Sequence, residues 1–173
     1  MPVSDQGVSH DRYKIIPRVL IFLTRGREVL MIKGSPSKRL WANKYNGIGG
    51  HIEQGEDVLS AAYRELKEET GIIDVDLEFC ALLTIDTGER TGIQLHVFRG
   101  KVDEGSEPKL EPCGEGSLEW VHQFDMVSLP LVEDLPVLIP RVLAFKSGEP
   151  PFFGLYSYSP DGRLNIRLIS NKS

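Results

Sequence analysis

A chain of 173 residues, 40% hydrophobic and 26% charged, has the size and composition of one soluble globular domain with a sizeable core. Its formal net charge of -5 argues against a broad basic surface for long nucleic acids, but a small anionic substrate could still be met by metal and a few local cations. Two cysteines, Cys80 and Cys113, make no disulfide framework, so a reduced, cytoplasmic protein is the simpler expectation; whether the two pair stays open.

Residues 1–12 are polar, lack the apolar core of a secretion signal and are expected to be flexible. Residues 13–173 then form a single domain, and no run approaches the length of a membrane span. Residues 13–24 hold Ile15, Ile16, Val19, Leu20, Ile21, Phe22 and Leu23. Their β-branched richness predicts a strand, with Pro17 near its start or at an edge. Gly26 permits a tight turn into a second strand, Val29-Leu30-Met31-Ile32, so the two read as a hairpin. A loop over 34–44 follows. Lys33, Lys38 and Arg39 could meet phosphate there, although a solvated loop is the ordinary fate of such charge. Trp41 is expected to pack beneath that loop rather than stack on a ligand.

Tyr45-Asn46-Gly47-Ile48-Gly49-Gly50 places three glycines where backbone can approach closely, and a short strand is expected there. Residues 57–71 read as a helix. Leu59, Ala62, Tyr63, Leu66 and Thr70 make one inward face, Asp57 can cap the start, and Gly71 supplies the stop. Glu65, Glu68 and Glu69 fall on another sector, with small Ala61 among them. Three carboxylates alone would ordinarily be a solvated face. However, Glu65 and Glu69 are a like-charge i,i+4 pair that destabilises an isolated helix, and only Arg64 is placed to offset the cluster. Converging carboxylates suit a hard divalent cation with bound phosphate.

Residues 75–86 and 93–102 predict two further strands. Gln94, His96 and Phe98 lie on one face of the second, and His96 is expected to be a partly buried structural residue. Residues 103–116 read as a loop and 118–122 as a strand. Leu135, Leu138, Ile139, Val142 and Leu143 have helical spacing, with Pro136 in the first turn and Pro140 as a distortion. Residues 152–159 and 164–169 flank Pro160-Asp161-Gly162-Arg163, a hairpin turn. The order gives a mixed sheet with helices on its faces, an α/β (or α+β) layer architecture.

One pattern is more specific than the rest. Gly50, Glu56, Arg64, Glu65, Leu66, Glu68, Glu69, Gly71 and Ile72 match all nine specified positions of the Nudix box, so the chain resembles a Nudix hydrolase. The resemblance implies an α/β/α sandwich and a loop–helix–loop that holds Mg2+, with Mn2+ able to substitute. By resemblance Glu65, Glu68 and Glu69 are metal ligands, the Gly50 carbonyl adds another, and Arg64 orients Glu56 or one of the ligands.

A looser resemblance, over most of the chain, is to the MutT-type oxidised-purine nucleoside triphosphate diphosphatases. It rests on Asn-Gly-Ile-Gly-Gly before the box, Glu115 before Glu119-Trp120-Val121, Glu133-Asp134 at the late helix, and an aromatic C-terminal hairpin. It implies that Asn46, Glu133 and Asp134 read the base and that Glu115 lies near metal and attacking water. The chain departs from that subgroup at Tyr45 and Leu131, where tryptophans are expected, and in having Glu-Asp for two aspartates. The implied reaction is hydrolysis of a nucleoside triphosphate, 8-oxo-dGTP-like, to a monophosphate and pyrophosphate, as in sanitation of the nucleotide pool. A triphosphate repels its nucleophile, so a cation must neutralise it and a carboxylate take a proton from water. Glu65 and Glu115 both remain candidates for the base, and Lys33 for contact with substrate. ADP-ribose, a dinucleoside polyphosphate, an RNA 5′ end, or nucleotide binding without turnover are the alternative readings. No long nucleic acid or membrane partner is expected, and oligomeric state is not readable from the sequence.

Overall fold

The structure is a computed structural model that describes residues 2–7, 9, 11–103, 105, 108 and 116–169. Glu115 and Cys113 therefore lie outside the described residues. After a 3-10 turn at Val3–Gln6 come β1 (Lys14–Arg25), β2 (Glu28–Gly34), β3 (Tyr45–Asn46), α1 (Val58–Thr70), β4 (Leu77–Ile85) and β5 (Thr91–Lys101). They are followed by β6 (Gly116–His122), α2 (Leu135–Ala144), β7 (Phe152–Tyr158) and β8 (Leu164–Ile169).

The strands make one mixed sheet in the order β3-β2-β1-β5-β4-β7-β8, with β6 on the other edge of β2. β1 runs parallel to β5 from Lys14↔Thr91 to Thr24↔Lys101. β4 pairs antiparallel with β5 and parallel with β7, and the C-terminal hairpin closes β7 on β8.

Alternation along β1 divides the core. Val19, Ile21 and Leu23 join Ala61, Ala62 and Leu66 of α1. Leu20 and Phe22 join Leu135, Leu138, Ile139 and Val142 of α2. Because successive side chains leave a strand on opposite faces, the two helices cover opposite faces of the sheet, giving the α/β/α sandwich.

Two local readings change. The β1–β2 hairpin pairs only at Thr24↔Val29 and Arg25↔Glu28. Beyond that the strands splay, and residues 45–51 wedge between them. Asn46 pairs with Ile32 of β2, while Ile48 bridges Ile21 and His51 bridges Arg18 of β1. On α1, Leu59 is 45% exposed and Ala61 is fully buried in its place. Paired alanines let the helix backbone come close to β1, which a leucine at the same depth would prevent.

Candidate active site

The wedge brings the glycine loop against α1. The Val19 N–H donates to the Gly50 carbonyl at 3.0 Å, and the Ile21 N–H to the Ile48 carbonyl at 2.7 Å. Gly49 has φ 148°, and a Cβ there would stand 2.2 Å from the Val19 carbonyl oxygen. A Cβ on Gly50 would stand 2.4 Å from Glu65 Oε1. Gly49 is therefore required by backbone conformation and contact, while Gly50 leaves room for the Glu65 carboxylate.

α1 is capped at both ends as its sequence suggests. Asp57 accepts from the Leu59 and Ser60 N–H groups, and the Gly71 N–H reaches the Lys67 carbonyl at φ 72°. From this rigid helix Glu65 faces Gly50, and Glu69 accepts the Gly49 N–H at 3.0 Å. Glu68 points further out, its side chain 59% exposed.

Arg64 ties the acids together. Its Nε and Nη2 meet the two oxygens of Glu56 at 2.9 and 3.0 Å. Nη1 donates to Glu65 at 2.9 Å and Glu68 at 3.2 Å, and Nη2 also reaches the His51 carbonyl at 2.9 Å. Hydrogen bonds to Glu56 and Glu65 raise the guanidinium pKa, and Arg64 in turn holds Glu56 below the ordinary carboxylate value. Fork-to-carboxylate geometry of this kind fixes orientation as well as charge.

Among the described residues no three acidic or histidine side chains already converge as a metal cage. The donor chemistry nevertheless fits a hard cation. Glu65 stands in the space left by the missing Gly50 side chain, Glu69 is beside it, and every candidate donor is oxygen. The Gly50 carbonyl keeps a second lone pair beyond its bond from Val19.

On the other side of the glycine loop lies a cavity of about 400 Å³. Asn46, Glu133 and Asp134 all line it, with Gly49 and Gly50 at the same wall. A small recess shared by Asn46, Gly47 and Gly49 continues to Glu69. The expected base-reading residues and the box are thus brought together by backbone: the Tyr45 N–H donates to the Pro130 carbonyl at 2.9 Å, and the Val132 N–H to the Tyr45 carbonyl at 3.0 Å. That ladder sets Glu133 and Asp134 opposite Asn46. A wider recess of about 970 Å³, beside Asp74 and Arg99, lies away from this machinery.

The Asn46 carbonyl oxygen accepts the adjacent Gly47 N–H at 2.8 Å, which leaves its amide as the freer, donating end. Burial raises the Asp134 pKa from its ordinary value, and nearby Glu133 adds to the rise. Glu133 itself is exposed and stands 3.8 Å from the Lys44 ammonium. Lys33 does not line the cavity; its ammonium lies over the Tyr45 ring at 5.3 Å. The buried Tyr45 hydroxyl donates to Glu119 at 2.7 Å, and this bond pushes its pKa up to about 12.

Trp41 does not pack beneath its loop. It is 42% exposed, has φ 59°, and lines the cavity. His96 is half-buried with Nδ1 3.2 Å from the Arg18 carbonyl, in keeping with a structural residue. Sequence reasoning did not single out Arg18, Lys44 or Tyr156, which also line the cavity. Arg18 left one signal, as a charge interrupting the apolar run from Ile15 to Leu23.

The NUDIX domain family model matches residues 14–142. An isopentenyl-diphosphate Delta-isomerase of Rhodobacter capsulatus is 32% identical over 60% of this chain and 62% of its own length. An oxidized purine nucleoside triphosphate hydrolase of Danio rerio is 30% identical over 68% of this chain and 69% of its own. The chain thus spans slightly less than two thirds of the first relative. Among solved structures, a MutT protein from Bacillus halodurans superposes with a TM-score of 0.72 at 25% identity, covering 89% of this chain and 97% of the other. The NUDIX domain of Shewanella oneidensis NrtR, complexed with ADP ribose, has a TM-score of 0.67 at 16% identity, over 83% and 97%.

Proposed function

The chain belongs to the NUDIX domain family, and on that footing we propose that it is a divalent-metal-dependent pyrophosphohydrolase. Its substrate is a purine nucleoside triphosphate, 8-oxo-dGTP-like, and its products are the monophosphate and pyrophosphate. One observation carries this reading: the glycine loop is a common wall between the box carboxylates and a cavity lined by Asn46, Glu133 and Asp134. A base in the cavity would lead its phosphates past Gly49 and Gly50 toward α1.

Glu65, Glu68, Glu69 and the Gly50 carbonyl would hold Mg2+, or Mn2+ in its place, and Glu115 would complete the set. The bound cation would neutralise phosphate charge and favour in-line attack by water. Arg64 holds Glu56, Glu65 and Glu68 in one arrangement before substrate arrives, so little reorganisation is needed at reaction. Either Glu65 or Glu115 takes the proton from water. In the cavity, ionised Asp134 or Glu133 accepts N–H donors of the base, while the Asn46 amide donates to a base oxygen. Among the described residues no helix is long and apolar enough to cross a membrane.

The test is magnesium-supported turnover of dGTP, 8-oxo-dGTP and an oxidised dATP beside ADP-ribose and a dinucleoside tetraphosphate, with products identified. Release of pyrophosphate and monophosphate from the triphosphates is the expected result. Turnover confined to ADP-ribose or the dinucleotide would overturn the substrate assignment and leave the family chemistry standing.

A further inference from the structure

The cavity contains a cation that neither the hydrolytic reaction nor the fold uses. Arg18 lies on β1, half-buried, and its side chain lines the same wall system as Asn46 and Asp134. Its Nε is buried without a hydrogen-bond partner among the described residues. Its pKa is lowered by desolvation alone, with no carboxylate raising it. Neighbouring positions of β1 show that the strand needs no charge there: Val19 and Leu20 are buried and apolar. Leaving a buried donor unpaired is unfavourable, and an unpaired cationic donor at a cavity wall marks a place where an acceptor is to arrive.

The geometry points to Arg18 as the residue that reads a carbonyl acceptor on the substrate's base, selecting 6-oxopurines over 6-aminopurines. This rests on the reading of the cavity as a base site. On guanine the N1 and N2 hydrogens lie beside O6, so a base that donates to Asp134 presents O6 to a neighbouring donor. A planar guanidinium fork matches O6, with N7 as a second acceptor in the unoxidised base. 8-Oxoguanine keeps O6, so it stays within the selected class. Adenine places an amino donor where O6 would be, and donor would face donor. The Asn46 amide and Arg18 then supply donors while the Glu133-Asp134 pair supplies acceptors, which is the complement of a guanine edge and not of an adenine edge.

The experiment measures dGMP and dAMP binding calorimetrically without metal, and kcat/KM for dGTP and dATP with magnesium, in wild type, Arg18→Met and Arg18→Lys. Wild type should bind dGMP more tightly than dAMP. Arg18→Met should weaken dGMP about tenfold, in line with the loss of one base-edge contact, and leave dAMP within about twofold. Arg18→Lys keeps the charge without the fork and should recover the affinity only in part. The melting temperature of Arg18→Met should be unchanged or higher, because an unpaired buried polar atom is removed.

Equal losses for both nucleotides, no loss for dGMP, full recovery with lysine, or a lowered melting temperature with binding lost would each overturn the assignment. If no triphosphate is turned over but dGMP binding still depends selectively on Arg18, the triphosphate reading fails and the arginine assignment stands. If triphosphates are hydrolysed with the same guanine preference in Arg18→Met, the arginine assignment alone fails.

Discussion

Arg64 grips Glu56 at two points, Nε to Oε1 at 2.9 Å and Nη2 to Oε2 at 3.0 Å, across eight residues of chain and the start of α1. The pair joins the loop before the helix to the helix itself. Glu56 is held below its ordinary value of 4.5 by that hydrogen bonding. A carboxylate with a depressed folded pKa contributes stability that is present above its unfolded value and is lost as pH falls through the folded one. Thermal unfolding of wild type should therefore weaken more steeply below about pH 4.5 than that of Glu56→Gln. Parallel acid limbs for the two proteins would show that the pair adds no acid-sensitive stability.

Glu68→Gln and Glu69→Gln each remove a charge and keep the shape. In Glu69→Gln the new amide oxygen can still accept the Gly49 N–H. Turnover should drop by at least about 100-fold in each if both hold the metal, and the magnesium concentration for half-maximal activity should rise. Melting temperature should hold or increase, since like charges on α1 are relieved. Near-normal turnover in both variants would remove them from the ligand set.

The two glycines should separate folding from catalysis. Gly50→Ala meets only the movable carboxylate of Glu65, so the fold should survive while activity falls with the displaced acid. Gly49→Ala meets the Val19 backbone at 2.2 Å with φ 148°. It should cost about 3 kcal/mol or more from strain and overpacking, a fall of roughly 6–12 °C in melting temperature for a chain of this size. Equal melting temperatures for the two variants would contradict the difference in what each Cβ meets.

Tyr45→Phe removes the 2.7 Å donor to half-buried Glu119 and leaves the acid without it. Chemical denaturation should report a loss of about 1–2 kcal/mol. Because β3 also positions the 130–132 segment, KM for the nucleotide should rise more than kcat falls.

Asp134 tests the cavity by pH. Burial raises its pKa from 3.8, so the folded protein holds that proton more tightly than the unfolded chain. This contribution favours folding below pH 3.8 and declines as pH climbs toward the folded value. Its side chain makes no cap hydrogen bond to α2. Asp134→Asn should thus raise the melting temperature at neutral pH while weakening base recognition. A lowered melting temperature there would mean that the carboxylate is held by a bond that the asparagine cannot replace.

By itself the sequence determined the parts whose signal is local. The box spacing, the Asp57 and Gly71 caps, the strand periodicities and the proline positions of α2 all act within a few residues, so they are legible in one dimension. The match over residues 14–142 agrees with that local reading. Local periodicity placed Leu59 inward, but a helix face is chosen by what approaches it, and only the close fit of Ala61 and Ala62 to β1 decided it. The same limit applies to the loop. A 3.6-residue period cannot report that β1 and β2 splay, that residues 45–51 fill the gap, or that the 130–132 segment pairs with Tyr45. Those long-range backbone pairs turn Asn46, Glu133, Asp134, Trp41 and Arg18 from separate residues into one cavity. Arg18 read as a single charge in a strand, because whether its buried Nε has a partner depends on neighbours distant in the chain, and only the tertiary structure supplies them.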